Sequence, residues 1–76
     1  MKIEEFEKWK ENNATSYTEE WINGIRYGFA TLTDGWVGVV ELKPDRVIPI
    51  ISADTIAHAR DYVWRIEPIT VQFNIL

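Results

Sequence analysis

Apolar residues recur at every third position near the start of the chain, which is the spacing of one face of a helix. Ile3, Phe6 and Trp9 form this stripe, and the positions between them are charged. Two asparagines then interrupt the pattern and are typical of a helix end. We therefore expect a helix from Ile3 to Asn12.

The segment from Ser16 to Ile22 fits two different structures. Its start, Ser16-Tyr17-Thr18-Glu19, has the form of a helix capping box. Its end runs into Asn23-Gly24, which between apolar residues is the strongest sequence signal for a two-residue hairpin turn. Tyr, Thr, Trp and Ile also favour strands. We prefer the strand, paired so that Trp21 faces Arg26.

A second hairpin is predicted over residues 25–42, with Asp34-Gly35 as its turn. A two-residue turn at this place makes Phe29 face Val40. The main core face of the sheet would then hold Tyr27, Phe29, Trp36, Val40 and Leu42. The opposite face is too apolar for a simple solvent-exposed face, so the first strand, a helix or another subunit would have to cover it.

The next segment predicts a short strand followed by a helix. Val47 to Ile51 is apolar, and Pro49 within it indicates an edge position or a bulge. Ser52 would then cap a helix from Ala53 to about Arg65. The inner stripe of this helix would consist of Ile56, Ala59, Val63 and Ala53.

The last segment alternates strictly between apolar and polar residues from Ile69 to Ile75, which is typical of a strand with one buried face. Pro68 would end the preceding helix. Residues 1–76 therefore predict one α+β domain: an N-terminal helix, a four-stranded antiparallel meander, a second helix, and a final strand that joins the sheet. We expect both helices on the aromatic face, in two layers.

The amino-acid composition limits which metal, disulfide and catalytic sites the chain can contain. The 76 residues include no cysteine and a single histidine, His58, so disulfides, thiolate metal sites and His-rich metal sites are excluded. Asp54, His58 and Asp61 would share one face of an ideal helix, a spacing that would suit a metal-dependent enzyme, but a solvated polar face explains the same spacing. We expect no metal, no cofactor and no enzymatic activity.

The charge of the chain indicates whether a nucleic acid or a protein is the expected partner. Eight basic residues are scattered among twelve acidic ones, giving a net charge of −4. Nucleic-acid binding needs clustered Lys and Arg, so a nucleic-acid partner is not expected. The alternative is an acidic mimic of nucleic acid that occupies a basic groove on a protein, through Glu4, Glu5, Glu7, Glu11, Glu19 and Glu20. We expect no membrane span or signal peptide, and a cytoplasmic location.

Four tryptophans are more than a core of this size ordinarily uses. Trp21 and Trp64 are expected to be partly exposed, and exposed Trp and Arg dominate protein interfaces. Our leading hypothesis is a small non-enzymatic protein-binding module of the inhibitor or accessory-factor type that phages or mobile elements encode, with a homodimer as its possible assembly. The expected binding residues are Glu19, Glu20, Trp21, Arg26 and Trp64.

Two families share parts of this pattern. Asn23-Gly24-Ile25-Arg26 followed by a meander resembles the Sm-like RNA-binding barrels, but a helix at 53–65 stands where those barrels have a tight connection. The order helix, three strands, helix is similar to double-stranded-RNA-binding domains, whose basic helix start is replaced here by Ser52-Ala53-Asp54. The sequence therefore assigns the chain to neither family, and no residue role is transferred.

Overall fold

The computed structural model describes residues 1–75, with side chains for residues 1–65. Its elements are α1 (Ile3–Asn13), β1 (Ala14–Ile22), β2 (Ile25–Leu32), β3 (Val37–Leu42), β4 (Val47–Ala53) and α2 (Ile56–Ile75). The strands form a four-stranded antiparallel sheet in the order β1-β2-β3-β4. The α+β class, the first helix, the meander and the second helix are thus confirmed.

The β1–β2 hairpin has the predicted turn. Asn23 and Gly24 have φ angles of 52° and 81°, as a two-residue turn with both central residues at positive φ requires. Trp21 pairs with Arg26, as expected. The strand therefore prevails over the capping box, since the turn fixes a pairing that uses the β-favouring residues before it.

The β2–β3 pairing differs from the prediction by one residue, because its loop has three residues instead of two. Leu32 N donates to Trp36 O at 2.7 Å, and Gly35 N donates to Leu32 O at 2.9 Å. Gly35 has φ 93°, which is the left-handed residue that ends a three-residue hairpin loop. Phe29 therefore pairs with Val39, and not with Val40.

This shift exchanges the two faces of β3, because side chains alternate along a strand. Val37 and Val39, in place of the predicted Val40, share a face with Phe29. Trp36, which was also predicted in the core, is 50 % exposed in the loop.

The sheet has a hydrophobic cluster on each face, so the predicted two-layer packing is not found. On one side, which we call the α2 face, Ala59 and Val63 of α2 pack against the sheet residues Ile22, Tyr27, Phe29, Val37 and Val39. On the other side, the α1 face, Phe6 of α1 packs against Val40 and Val47. The adjacent residues Val39 and Val40 belong to different clusters, as the alternation of β3 requires. The sheet thus lies between the two helices.

The outer edge of β4 is partly covered. Val47 N donates to Met1 O at 2.8 Å, and the Met1 amino group donates to Val47 O at 3.0 Å. Pro49 lies on this edge strand beside a shift in the β3–β4 register, as its lack of an N–H predicts. Both devices reduce the pairing capacity of this edge.

The start of α2 lies three residues after the predicted one. Ser52 belongs to β4, and Thr55 caps the helix instead: its Oγ1 accepts a hydrogen bond from His58 N at 3.1 Å. The expected inner stripe is confirmed, because Ala59 and Val63 are buried and Ile56 packs beside them.

The predicted strand from Ile69 to Ile75 is not found, because α2 continues to Ile75. The alternation that suggested a strand also contains the helical spacing: Ile69 and Phe73 are four residues apart. Extending a formed helix needs no new nucleus, whereas a strand would require the chain to leave the helix and pair with a distant sheet edge. A proline inside a helix removes one backbone hydrogen bond and crowds the preceding turn, but α2 continues through Pro68. No helix in the described part of the chain is long and apolar enough to cross a membrane.

The cap of α2 can be tested with two alanine variants. Thr55→Ala should lower the free energy of unfolding by about 1 kcal/mol, because the His58 amide loses its acceptor. Ser52→Ala should change it by less than about 0.5 kcal/mol, as for a surface position without a cap. Urea unfolding followed by circular dichroism measures both. An equal or larger loss in Ser52→Ala would show that the cap is misassigned.

Candidate functional site

The predicted binding residues lie around one edge of the sheet. Glu19, Glu20 and Trp21 are on the edge strand β1, and Arg26 lies opposite Trp21 on β2. Trp64 is one helical turn beyond Arg60, whose Nε lies 2.6 Å from a carboxylate oxygen of Glu20. We call the following set the β1-edge surface: Glu19, Glu20, Trp21, Arg26, Arg60 and Trp64.

The members of this surface are divided between the two faces of the sheet. Alternation along β1 places Glu19 and Trp21 on the α1 face and Glu20 on the α2 face. Trp64 is on α2 and therefore on the α2 face. The structure brings each glutamate to an arginine, but it does not bring Trp21 and Trp64 together, because they lie on opposite sides of the sheet.

On the α1 face, Glu19 is held by two donors. The Tyr17 hydroxyl donates to Glu19 Oε2 at 2.8 Å, and the Arg26 guanidinium donates to Glu19 Oε1. The Tyr17 ring is fixed in turn, with its centroid 5.8 Å from that of Phe6 and 4.0 Å from Lys10 Nζ. This cluster orders the side chains around the middle of β1.

The electrostatics of the cluster suit binding better than proton transfer. Burial and the hydrogen bond to Glu19 raise the pKa of Tyr17. Burial acts to raise the pKa of Glu19 as well, but the hydrogen bonds from Tyr17 and Arg26 outweigh it and lower that pKa. At neutral pH the tyrosine is a neutral donor and the glutamate an anion, so neither titrates in the range that general acid–base catalysis needs.

On the α2 face, the Arg60–Glu20 ion pair joins the helix to the edge strand. Ala59 next to Arg60 is completely buried against the sheet, which fixes the helix at this point. Sequence reasoning did not identify Arg60 as a partner of Glu20. The sequence does place Arg60 beside the inner stripe of α2. It does not show that Arg60 pairs with Glu20, because the two residues are far apart in the chain.

Trp21 and Trp64 are exposed as expected. Trp21 is 72 % exposed and Trp64 52 %, and Trp21 has the highest value among the large hydrophobic side chains that the structure describes. Trp9, in contrast, packs on the α1-face cluster, 5.9 Å from the Phe6 ring. An exposed indole leaves a large apolar area in contact with water, and burying that area would be favourable. Trp21 and Trp64 are therefore candidates for contact with another molecule.

The polar residues around His58 form separate pairs. Asp54 precedes α2, and its carboxylate lies 2.5 Å from His58 Nδ1. The hydrogen bond with His58 lowers the pKa of Asp54. Asp61 is paired with Arg65 at 2.8 Å. The part of the chain that the structure describes contains no group of three potential metal ligands.

An apolar groove of about 320 Å³ opens on the α1 face between α1 and β4. Its walls include Met1, Phe6, Trp9, Val40, Pro49 and Ile51. Its volume is at the small end of the range for ligand sites. The lining residues among those described include Ser52 but no Asp, Glu, His, Lys or Arg side chain, so the groove offers mainly apolar contact.

Comparisons with protein-family models, with curated proteins and with solved structures found no match to this chain. The β1-edge surface is therefore the feature of the molecule that bears most directly on its function.

The contribution of the ionised Glu19 side chain to stability can be tested by changing the pH. Because its pKa is lowered by folding, the ion pair stabilises the protein above the unfolded pKa of about 4.3, and this contribution is lost as the pH falls through the folded pKa. Glu19→Gln should lower the free energy of unfolding at pH 7 by up to about 1 kcal/mol. Urea unfolding at a series of pH values should show the difference from wild type shrinking on acidification.

The matched control for this experiment is Arg26→Gln. In the Arg26→Gln background, Glu19→Gln should lower the free energy of unfolding at pH 7 by less than it does in the wild type. The reason is that one of the two donors to the carboxylate is already absent. A loss that is independent of both pH and Arg26 would contradict the assigned role of the ion pair.

The packing of Tyr17 can be tested at Gly28. A Cβ at Gly28 would lie 2.5 Å from the Tyr17 hydroxyl oxygen, so Gly28→Ala must displace the ring and its bond to Glu19. We expect a loss of about 1–3 kcal/mol in unfolding free energy, as for overpacked sites. Gly38→Ala is the control, because its Cβ would meet Trp9 at 3.4 Å, and it should stay within about 1 kcal/mol of wild type. Equal effects in urea unfolding would argue against this close approach.

Proposed function

We propose that this protein is a non-enzymatic protein-binding module that engages its partner through the β1-edge surface. The observation that supports this most directly is Trp21, which is 72 % exposed on an edge strand beside the Glu19–Arg26 ion pair. Tryptophan and arginine are the residues that most often dominate the free energy of protein interfaces. Their position on a sheet edge also suggests how the partner binds.

The backbone of β1 offers hydrogen bonds to a further strand. Ile22 and Ile25 flank the two-residue turn, so each donates to and accepts from the other. Hydrogen bonding alternates along an antiparallel strand, so every second residue of β1 bonds to β2 and the others point outward. The outward residues are Tyr17, Glu19 and Trp21.

The two edges of the sheet differ in their protection. The β4 edge has Pro49 and the backbone contacts to Met1. Between Tyr17 and Trp21, β1 contains no proline and has β2 as its only neighbouring strand in the described sheet. An edge of this kind is a template for strand addition, in which main-chain hydrogen bonds provide affinity and flanking side chains provide specificity.

Acidic mimicry of nucleic acid is the second candidate, and the structure favours it less. Three of the six glutamates that would form the mimic are engaged in ion pairs: Glu7 with Lys10, Glu19 with Arg26, and Glu20 with Arg60. Pairing reduces the field that a basic groove would recognise. Strand addition, in contrast, benefits from neutralised glutamates, because they repel an incoming chain less.

Size and charge are compatible with one biological setting for the proposed module. A cytoplasmic inhibitor or accessory factor, of the kind that phages and mobile elements encode, agrees with 76 residues, a net charge of −4 and the absence of cysteine.

The proposal predicts which tryptophans matter. The double variant Trp21→Ala, Trp64→Ala should lose the proteins that the wild type captures from a host lysate, with an affinity at least about 30-fold lower for a purified partner, which corresponds to a hot-spot loss of about 2 kcal/mol. Trp36→Ala is the matched control, since Trp36 is 50 % exposed but lies in the β2–β3 loop. Capture that survives the double variant, or that Trp36→Ala abolishes equally, would contradict the proposal.

A further inference from the structure

We propose that the strand added to β1 is β1 of a second copy of this chain, paired antiparallel about a two-fold axis at Thr18. This inference rests on the proposed function, because it names the partner of the same edge. The two four-stranded sheets would join into one continuous sheet of eight strands. The symmetry, hydrogen bonding and charge of β1 all select the same axis.

Symmetry restricts where the axis can lie. A two-fold axis perpendicular to the sheet leaves every side chain on its own face, so the residue at the axis must pair with itself. β1 has nine residues, from Ala14 to Ile22, and Thr18 is its midpoint. The register of β1 shifts between Ala14 and Ser16, so its regular part begins at Ser16. An axis at Thr18 pairs residues 16–20 of this part with their copies, placing Glu19 opposite Tyr17 and Glu20 opposite Ser16.

The backbone of β1 fits this axis. Thr18 is one of the residues whose hydrogen bonds go to β2, so the Thr18–Thr18 pair is of the non-hydrogen-bonded type. The residues on either side, Tyr17 and Glu19, both point their N–H and C=O groups outward. Each would exchange two hydrogen bonds with the other residue of the second copy, which gives four hydrogen bonds around the axis.

Other axes are less favourable. An axis at Glu19 or Glu20 would place identical carboxylates directly opposite each other, which destabilises a sheet. An axis at Tyr17 would place Trp21 opposite Asn13, which belongs to α1. An axis at Trp21 would leave only residues 20–22 paired within the strand.

Charge also permits this approach of two acidic chains. Glu19 and Glu20 are the acidic residues of β1, and each has its own arginine, Arg26 or Arg60. With the axis at Thr18, each glutamate lies opposite an uncharged residue: Glu19 faces Tyr17 and Glu20 faces Ser16. The exposed indole of Trp21 lies one residue beyond the paired stretch, where it can contact the second copy.

The test uses the absence of cysteine from the chain, because any introduced thiol is then unique. Cα atoms of a non-hydrogen-bonded antiparallel pair are about 4.5 Å apart, which is within disulfide range. Under mild oxidation, Thr18→Cys should form a disulfide-linked dimer on a non-reducing gel. Thr18 is exposed, so the substitution leaves the core intact.

Ser16→Cys is the matched control, on the same strand and face. In the proposed dimer, position 16 of one copy and position 16 of the other are four residues apart along the strand direction. That distance is about 13 Å, which is too far for a disulfide. We expect at least about tenfold less cross-linked dimer than for Thr18→Cys. A mixture of Ser16→Cys and Glu20→Cys should form the heterologous disulfide, because these two positions face each other in this register. Light scattering of the unmodified protein should give a dimer.

Two results would overturn the proposal. A monomer by light scattering at the concentration used for cross-linking would exclude self-pairing. A dimer in which Ser16→Cys cross-links as well as Thr18→Cys would place the contact at another register or face. Neither result decides whether β1 binds a different protein, since the tryptophan variants test that separately. Capture of another protein that depends on Trp21, by a monomeric chain, would show that the edge serves that protein instead.

Discussion

The three-residue loop between β2 and β3 determines which side chains of β3 face each helix. Gly35 takes the left-handed conformation that closes this loop, and the register of the hairpin follows from it. Val39 then faces α2 and Val40 faces α1. A sheet with apolar side chains on both faces exposes too much hydrophobic surface unless both faces are covered. The side chains that each helix contacts on β3 therefore depend on this register.

The two edge strands of the sheet, β1 and β4, differ in how their outer sides are occupied. At β4, Pro49 and the backbone of Met1 occupy positions where another strand would pair. At β1, the flanking side chains are ordered instead: Glu19 by Tyr17 and Arg26, and Glu20 by Arg60. Ordered side chains lose less conformational entropy on binding, and paired charges repel an approaching chain less. This combination makes β1 the edge suited to contact with another protein.

The candidate site was predicted residue by residue but not as an arrangement. Alternation and turn chemistry are local, so the pairing of Trp21 with Arg26 and the exposure of Trp21 followed from the sequence. The Glu20–Arg60 pair spans forty positions and depends on where α2 crosses the sheet. Tyr17 was seen as a strand residue, and its bond to Glu19 becomes evident only when both side chains are known to share the α1 face.

The sequence by itself determined the α+β class, the first helix, the four strands and the Asn23-Gly24 turn, because each depends on residues close together in the chain. Tertiary structure decided the β2–β3 register, the separation of the helices onto opposite faces, and the continuation of α2 to Ile75. The alternation from Ile69 to Ile75 fits a strand as well as a helix, so the local pattern is ambiguous there. Distant contacts settle such cases, because a strand needs a neighbour at a free edge whereas a helix satisfies its own backbone.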